Sequence, residues 1–320
     1  MELDPLVAAL IAGVRPLRIA QYSLVSAFSL LLYDYAITFR AEVTSIWQSR
    51  FTFVKALFLL NRYIGLAAVA IDVIVMFKPG LTAEVCTNWI LYHFALSVLT
   101  IVIGQVILLC RIHALYGQNW KITGCLLAPI IICAAGCGAV DYASRAKGGA
   151  PPAPLQGCYI ASLPHWARFV WVPPLFTEIS LCFAMIYKAW TIWRERDLRD
   201  VLRARIVSPL LRRIILDSII YFFSILMILL MNTIIWLVAP LDYTYIGIPW
   251  AETIPCIMGS RLLLNTREHY VKDASKVSAT GASNSTSGIV LRPFRSGKQH
   301  QYIETIDIAV VEETTIQPDF

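Results

Sequence analysis

The apolar residues of this chain fall into blocks of about 20 or more, separated by short polar stretches, and this segmentation limits the fold more than any motif does. A hydrocarbon layer about 30 Å thick is crossed by about 20 helical residues, so each block is sized for one crossing. The overall balance agrees, since 58% of the 320 residues are hydrophobic and only 15% are charged. That excess needs a non-aqueous solvent.

The charges, prolines and tryptophans that bound the blocks predict seven spans. These are Leu17 to Phe39, Val54 to Phe77, Trp89 to Cys110, Ile122 to Asp141, Arg168 to Thr191, Ile214 to Ala239 and Tyr243 to Leu264. Helix is the expected conformation, because backbone groups in lipid must pair within their own segment, and a barrel would show alternating ten-residue strands instead. The fourth block is rich in Gly, Ala and Cys, and the seventh carries Pro249, Glu252 and Pro255, so both suit positions packed inside a bundle. The expectation is an all-α, integral membrane seven-helix bundle spanning residues 17–267, with an N-terminal segment at 1–16 and a tail at 268–320. From Asp273 onward the Ser, Thr, Ala and Gly content predicts a disordered tail.

Orientation follows from the basic residues in the connections. Arg40, Arg50, Lys55, Arg111, Lys121, the arginines between Arg194 and Arg213, Arg261, Arg267, Lys272 and Lys276 lie on one side. Arg15, Arg18, Lys78, Arg145, Lys147 and Arg168 lie on the other. The richer side is expected in the cytosol, which puts the N-terminus outside and the C-terminus inside. Trp89, Trp166 and Trp171 on one side, with Trp120, Trp190 and Trp193 on the other, suit interfacial belts, and core packing is the equal alternative. The net charge of +6 is spread over connections, with no groove-reading motif, so nucleic acid is not an expected partner. The expected partners are membrane lipids of the plasma membrane or an endomembrane, a small-molecule ligand from outside, and a cytosolic protein or anionic lipid at the Arg194 to Arg213 loop.

Two of the eight cysteines, Cys86 and Cys158, fall in the oxidising compartment outside the spans. They form either a disulfide that ties the loop before the fifth span over the bundle or two free thiols. No cysteine or histidine spacing matches a metal site, and no cofactor is expected. Ionisable groups inside spans are costly in lipid and should face partners in the bundle. Asp34 and Arg62 fall at similar depth and predict an ion pair, read as a packing clamp or a switch. Glu178 and Glu252, with prolines nearby, join His93 as candidates to line a polar pocket; the alternative is that each carboxyl is satisfied by a neighbouring helix through a group such as Gln105 or Asn232.

Several short runs are more specific. Tyr33-Asp34-Tyr35, Glu42-Val43, Ile46-Trp47 and Leu57-Phe58-Leu59-Leu60-Asn61-Arg62-Tyr63 form one set. Arg111-Ile112-His113-Ala114-Leu115-Tyr116-Gly117, Asp217 before Tyr221-Phe222, and Ser260-Arg261-Leu262-Leu263-Leu264-Asn265 extend it. Together they resemble the fungal, chiefly basidiomycete, membrane domain of unknown function 6533, although His113 replaces the more usual tyrosine. The resemblance implies a multi-pass membrane protein and brings no activity with it.

The N-terminus outside, the cysteine before the third span, the basic loop and the Ser/Thr tail favour a receptor-like heptahelical protein. Against kinship with rhodopsin-like receptors, no acid precedes Arg111 and no NPxxY run closes the seventh span; the absence of lysine there also argues against a retinal protein. The alternatives are a transporter or channel using midplane carboxylates, and a non-catalytic scaffold. No nucleophile and base constellation is legible, so no enzyme is expected.

Overall fold

The computed structural model describes residues 5–49, 51–144, 147–151, 156–200 and 209–283. Helix α1 covers Pro5–Glu42 and ends in a π turn at Val43–Trp47. Helices α2 (Phe53–Leu59) and α3 (Gly65–Phe77) form one rod joined by a second π turn at Leu60–Ile64. Helices α4 (Ala83–Leu115) and α5 (Trp120–Ser144) follow, then the short strands β1 (Lys147–Gly149) and β2 (Tyr159–Ser162). A 3-10 turn at His165–Trp171 leads into α6 (Val172–Asp200). Helix α7 (Pro209–Val238), a 3-10 turn at Leu241–Ile246 and α8 (Ile248–Ser283) follow as the last described elements.

Among the described residues, six stretches are long and apolar enough to cross a membrane: Val14–Trp47, Phe53–Phe77, Ala83–Leu115, Trp120–Val140, His165–Thr191 and Leu216–Val238. Their outer faces are apolar, with Ile74, Ile132, Phe183, Phe223 and Val238 each more than half exposed. Water does not tolerate so wide an apolar coat on a monomer, whereas acyl chains do. The protein is therefore an all-helical, multi-pass membrane protein.

Helix α8 is the exception, and its position explains why. It packs against α1, α3, α4 and α7 at once, and Ala251, Glu252, Thr253, Cys256 and Ser260 are all buried. A rod enclosed by other helices meets little lipid, so Glu252 and Pro255 are sheltered there. Close approach is possible because position 65 is glycine; a Cβ there would stand 2.9 Å from Cys256 Sγ.

Several expectations are corrected. Helix α1 begins at Pro5 and takes Pro16 into its interior, so residues 5–16 are helical instead of a separate segment before Leu17. Helix α8 starts at Ile248, after the 3-10 turn, and continues to Ser283, so Asp273–Ser283 is helical where a disordered tail was expected. Residues 201–208 of the Arg194 to Arg213 loop and the tail from 284 to 320 lie outside the described residues. Trp89 and Trp171 are buried in the core rather than placed in a belt, while Trp120, Trp166 and Trp190 are exposed.

The hairpin of β1 and β2 caps one end of the bundle, a small departure from a wholly helical chain. Cys158 is bonded to Cys86 at the start of α4, with a Cα separation of 5.4 Å. Gly148 N–H donates to Thr87 Oγ1 at 3.0 Å, and Gln21 on α1 donates to the carbonyls of Met76 and Gln156 at 2.8 and 3.3 Å. Gly157 N–H reaches the Lys78 carbonyl at 3.3 Å. That contact needs glycine, because φ there is +99° and a side chain would press on the Met76 carbonyl.

Candidate functional site

Two buried polar clusters occupy the bundle, one near each end. At the hairpin end α3 supplies Asp72, α4 supplies Trp89, His93 and Ser97, the 3-10 turn supplies Tyr245, and α8 supplies Glu252. His93 Nδ1 lies 2.9 Å from Asp72 Oδ2 and 3.7 Å from Glu252 Oε1. The Trp89 indole N–H donates to Asp72 Oδ1 at 3.0 Å, and the Ser97 hydroxyl donates to Glu252 Oε1 at 2.5 Å. The Trp89 ring stacks on His93 at 5.5 Å and the Tyr245 ring lies at 5.3 Å. Asp72, His93 and Glu252 are each no more than 3% exposed. His93 Nε2 and Glu252 Oε2 have no hydrogen-bond partner among the described residues.

The residues expected to line one pocket, His93, Glu178 and Glu252, do not all come together. His93 and Glu252 meet, but Glu178 makes no hydrogen bond or ion pair with either among the described residues. It is fully buried in the second turn of α6, within electrostatic reach of Tyr221. Pro173 and Pro174 lie one turn before it. They occupy the first turn of α6, where a missing N–H costs nothing, and Thr177 then caps the Pro174 carbonyl and accepts from Gln105. Glu252, in turn, lies in the first turns of α8 and near the cap, because that helix starts later than expected. Asp72 takes Glu178's place. It carries the sequence signal used for Asp34, an acid inside an apolar block.

The second cluster joins α1, the α2–α3 rod and α8 at the opposite end. Arg62 and Asp34 stand 4.0 Å apart, but neither is the other's nearest ion-pair partner. Arg62 Nε lies 2.8 Å from Glu42 Oε2, and Arg261 Nε donates to Asp34 Oδ1 at 2.5 Å. The rest of the Arg62 guanidinium donates to the Tyr35 carbonyl and Thr38 Oγ1, and it covers the Tyr35 ring at 4.5 Å. Glu42 Oε1 accepts from Tyr63 at 2.9 Å and from Trp47 at 3.0 Å.

The π turns build this cluster. Glu42 and Trp47 are five residues apart, a spacing at which side chains on a regular α-helix do not meet, and the wider turn at Val43–Trp47 brings them together. The turn at Leu60–Ile64 directs both Asn61 and Arg62 inward. Asn61 donates to the Cys256 carbonyl of α8 at 3.0 Å. Glu42 was absent from the expected pair because it lies beyond the end of its expected apolar block, and Arg261, three residues from the end of its own, was counted with the connecting charges.

Arg111, at the end of α4, adds a third tie to α8 by donating to the Leu262 carbonyl at 2.6 Å and to Thr266 Oγ1 at 2.5 Å.

Residues 22–67 match the model of a family described as a family of unknown function (DUF6533). The matched stretch contains Asp34, Tyr35, Thr38, Glu42, Trp47, Asn61, Arg62 and Tyr63, that is, most of the second cluster. A comparison with curated proteins finds no match.

Proposed function

We propose that the chain crosses the membrane seven times, with α8 as the seventh crossing, the hairpin end outside and the C-terminus in the cytosol. In this reading it is a receptor-like transducer in which a ligand at the Asp72, His93 and Glu252 cluster acts on the ion pairs of Asp34, Glu42, Arg62 and Arg261. The observation that carries it is that both clusters hang on the same two rods. Asp72 and Arg62 share the α2–α3 rod, about 15 Å apart along it, and Glu252 and Arg261 share α8, about 14 Å apart.

A small movement of one rod against the other at the outer cluster must change the fit at the inner one, because packed interfaces hold discrete arrangements and do not deform continuously. The disulfide supports the outward assignment, since such bonds persist in oxidising compartments. The excess of arginines at the opposite end supports it independently. Transport along Glu178, Glu252 and Arg62 has less support, because Glu178 stands apart from both clusters.

Two measurements test this. Thiols introduced at Gly80 and Arg194 are expected to react with an impermeant reagent in intact cells at the first position alone, and at both once the cells are opened. Asp72→Asn is expected to change the labelling rate of a thiol placed at exposed Asn265 by at least about fivefold, the lower end of a real coupling. Labelling of position 194 in intact cells, or glycan on Asn284 of the Asn284-Ser285-Thr286 acceptor sequence, overturns the orientation. An unchanged rate at position 265 overturns the coupling.

A further inference from the structure

We propose that Asp72, His93 and Glu252 form a site for a divalent metal ion of the zinc class. The proposal rests on the receptor reading for the place of the site and names the ligand it takes. The three residues come from α3, α4 and α8, and one ligand atom from each lies within 4.8 Å of the other two. Atoms bound at about 2.0–2.2 Å around one Zn²⁺ stand a little over 3 Å from one another, so small side-chain adjustments close the set. One imidazole nitrogen and two carboxylate oxygens with a free fourth position is a donor set that suits zinc.

Charge is the second argument. Two carboxylates face one imidazole, and among the described residues no lysine or arginine pairs with Asp72 or Glu252. With both carboxylates ionised, even a protonated His93 leaves the pair one positive charge short, inside a bundle where uncompensated charge is expensive. A divalent cation held by both carboxylates and a neutral imidazole leaves no net charge. If His93 is protonated beforehand, one proton goes to solvent as the metal enters.

The surroundings match those of ligands held ready. Metal-binding carboxylates are usually oriented by an outer hydrogen bond, and here Trp89 holds Asp72 while Ser97 holds Glu252. The Trp89 and Tyr245 rings flank His93 and keep the site dry. Glu252 Oε2 and His93 Nε2, both buried and without a hydrogen-bond partner among the described residues, give the cluster spare donor capacity.

The test uses the full chain purified in lipid nanodiscs from zinc-supplemented cells, with zinc counted by elemental mass spectrometry. About one zinc per chain is expected. Stripping with chelator should lower the melting temperature, and zinc should restore it. Cobalt(II) should give a visible absorption band that zinc abolishes. His93→Gln is expected to weaken binding by at least about a hundredfold, since outer-sphere changes alone cost ten- to a hundredfold. If that variant does not fold, Asp72→Asn and Glu252→Gln serve in its place.

Wild-type protein without zinc and without a melting shift in added zinc overturns the site. So does zinc that all three variants retain, which marks an adventitious ion only. Zinc bound without any change at position 265 removes the transducer reading and keeps the metal site, whereas rate changes at position 265 without zinc do the reverse.

Discussion

Arg62→Met is expected to destabilise the folded protein by about 3–5 kcal/mol, because it leaves buried carboxylates without their cation. Among the described residues, Glu42 is fully buried and keeps the Tyr63 and Trp47 donors alone, and Asp34 keeps Arg261 as its one cation, whose side chain is itself 46% exposed. Arg62→Lys should recover only part of the loss. The guanidinium holds Glu42, the Tyr35 carbonyl and Thr38 in one planar fork, and an ammonium cannot reach all three. Glu42→Gln combined with Arg62→Met should be more stable than Arg62→Met alone, since the charge that was stranded is gone. Thermal unfolding in nanodiscs reads all of these. An Arg62→Met protein that melts with the wild type would show that the cluster is held by packing and not by charge. Exchanging Asp34 and Arg62 is a weaker test, because 4.0 Å separates those two groups and each has a nearer partner.

The sequence revealed the rods because lipid imposes a length and an apolar composition that a single chain displays openly. It revealed their ends less well. Pro16 reads as a start from sequence, yet one lost backbone bond is tolerated inside a rod as long as α1. Helix α8 is the opposite case. Its composition falls short of a lipid-facing span, but it needs few apolar residues because its neighbours enclose it, and only the tertiary packing shows this. The sites were legible residue by residue and not as sets. His93, Glu252, Asp34 and Arg62 each stood out as polar groups in apolar blocks. Their company did not, because Asp72, His93 and Glu252 are joined by packing across three helices and no spacing rule links them. Glu42 and Trp47 meet only through a π turn, which leaves no compositional trace.

The cap gives the second large effect. Cys86→Ser and Cys158→Ser are each expected to cost about 4 kcal/mol, the chain-entropy value for a bridge that closes 72 residues. The cap also holds through Gln21, Thr87 and the Gly157 to Lys78 bond, so its loss is expected to loosen the hairpin without unfolding the bundle. The double variant should melt close to either single one, because one bond is broken only once, and two independently packed thiols would instead give additive losses. Gel mobility should agree, with reduction shifting the wild type and leaving all three variants unchanged. The effect should also reach the polar cluster, since Cys86 and His93 lie on α4 only about 10 Å apart along the axis. Trp89 stands between them and should become more open to a soluble quencher in either single variant. Additive losses, or a wild type whose mobility ignores reductant, would remove the bridge, and with it the disulfide support for placing this end of the bundle outside the cell.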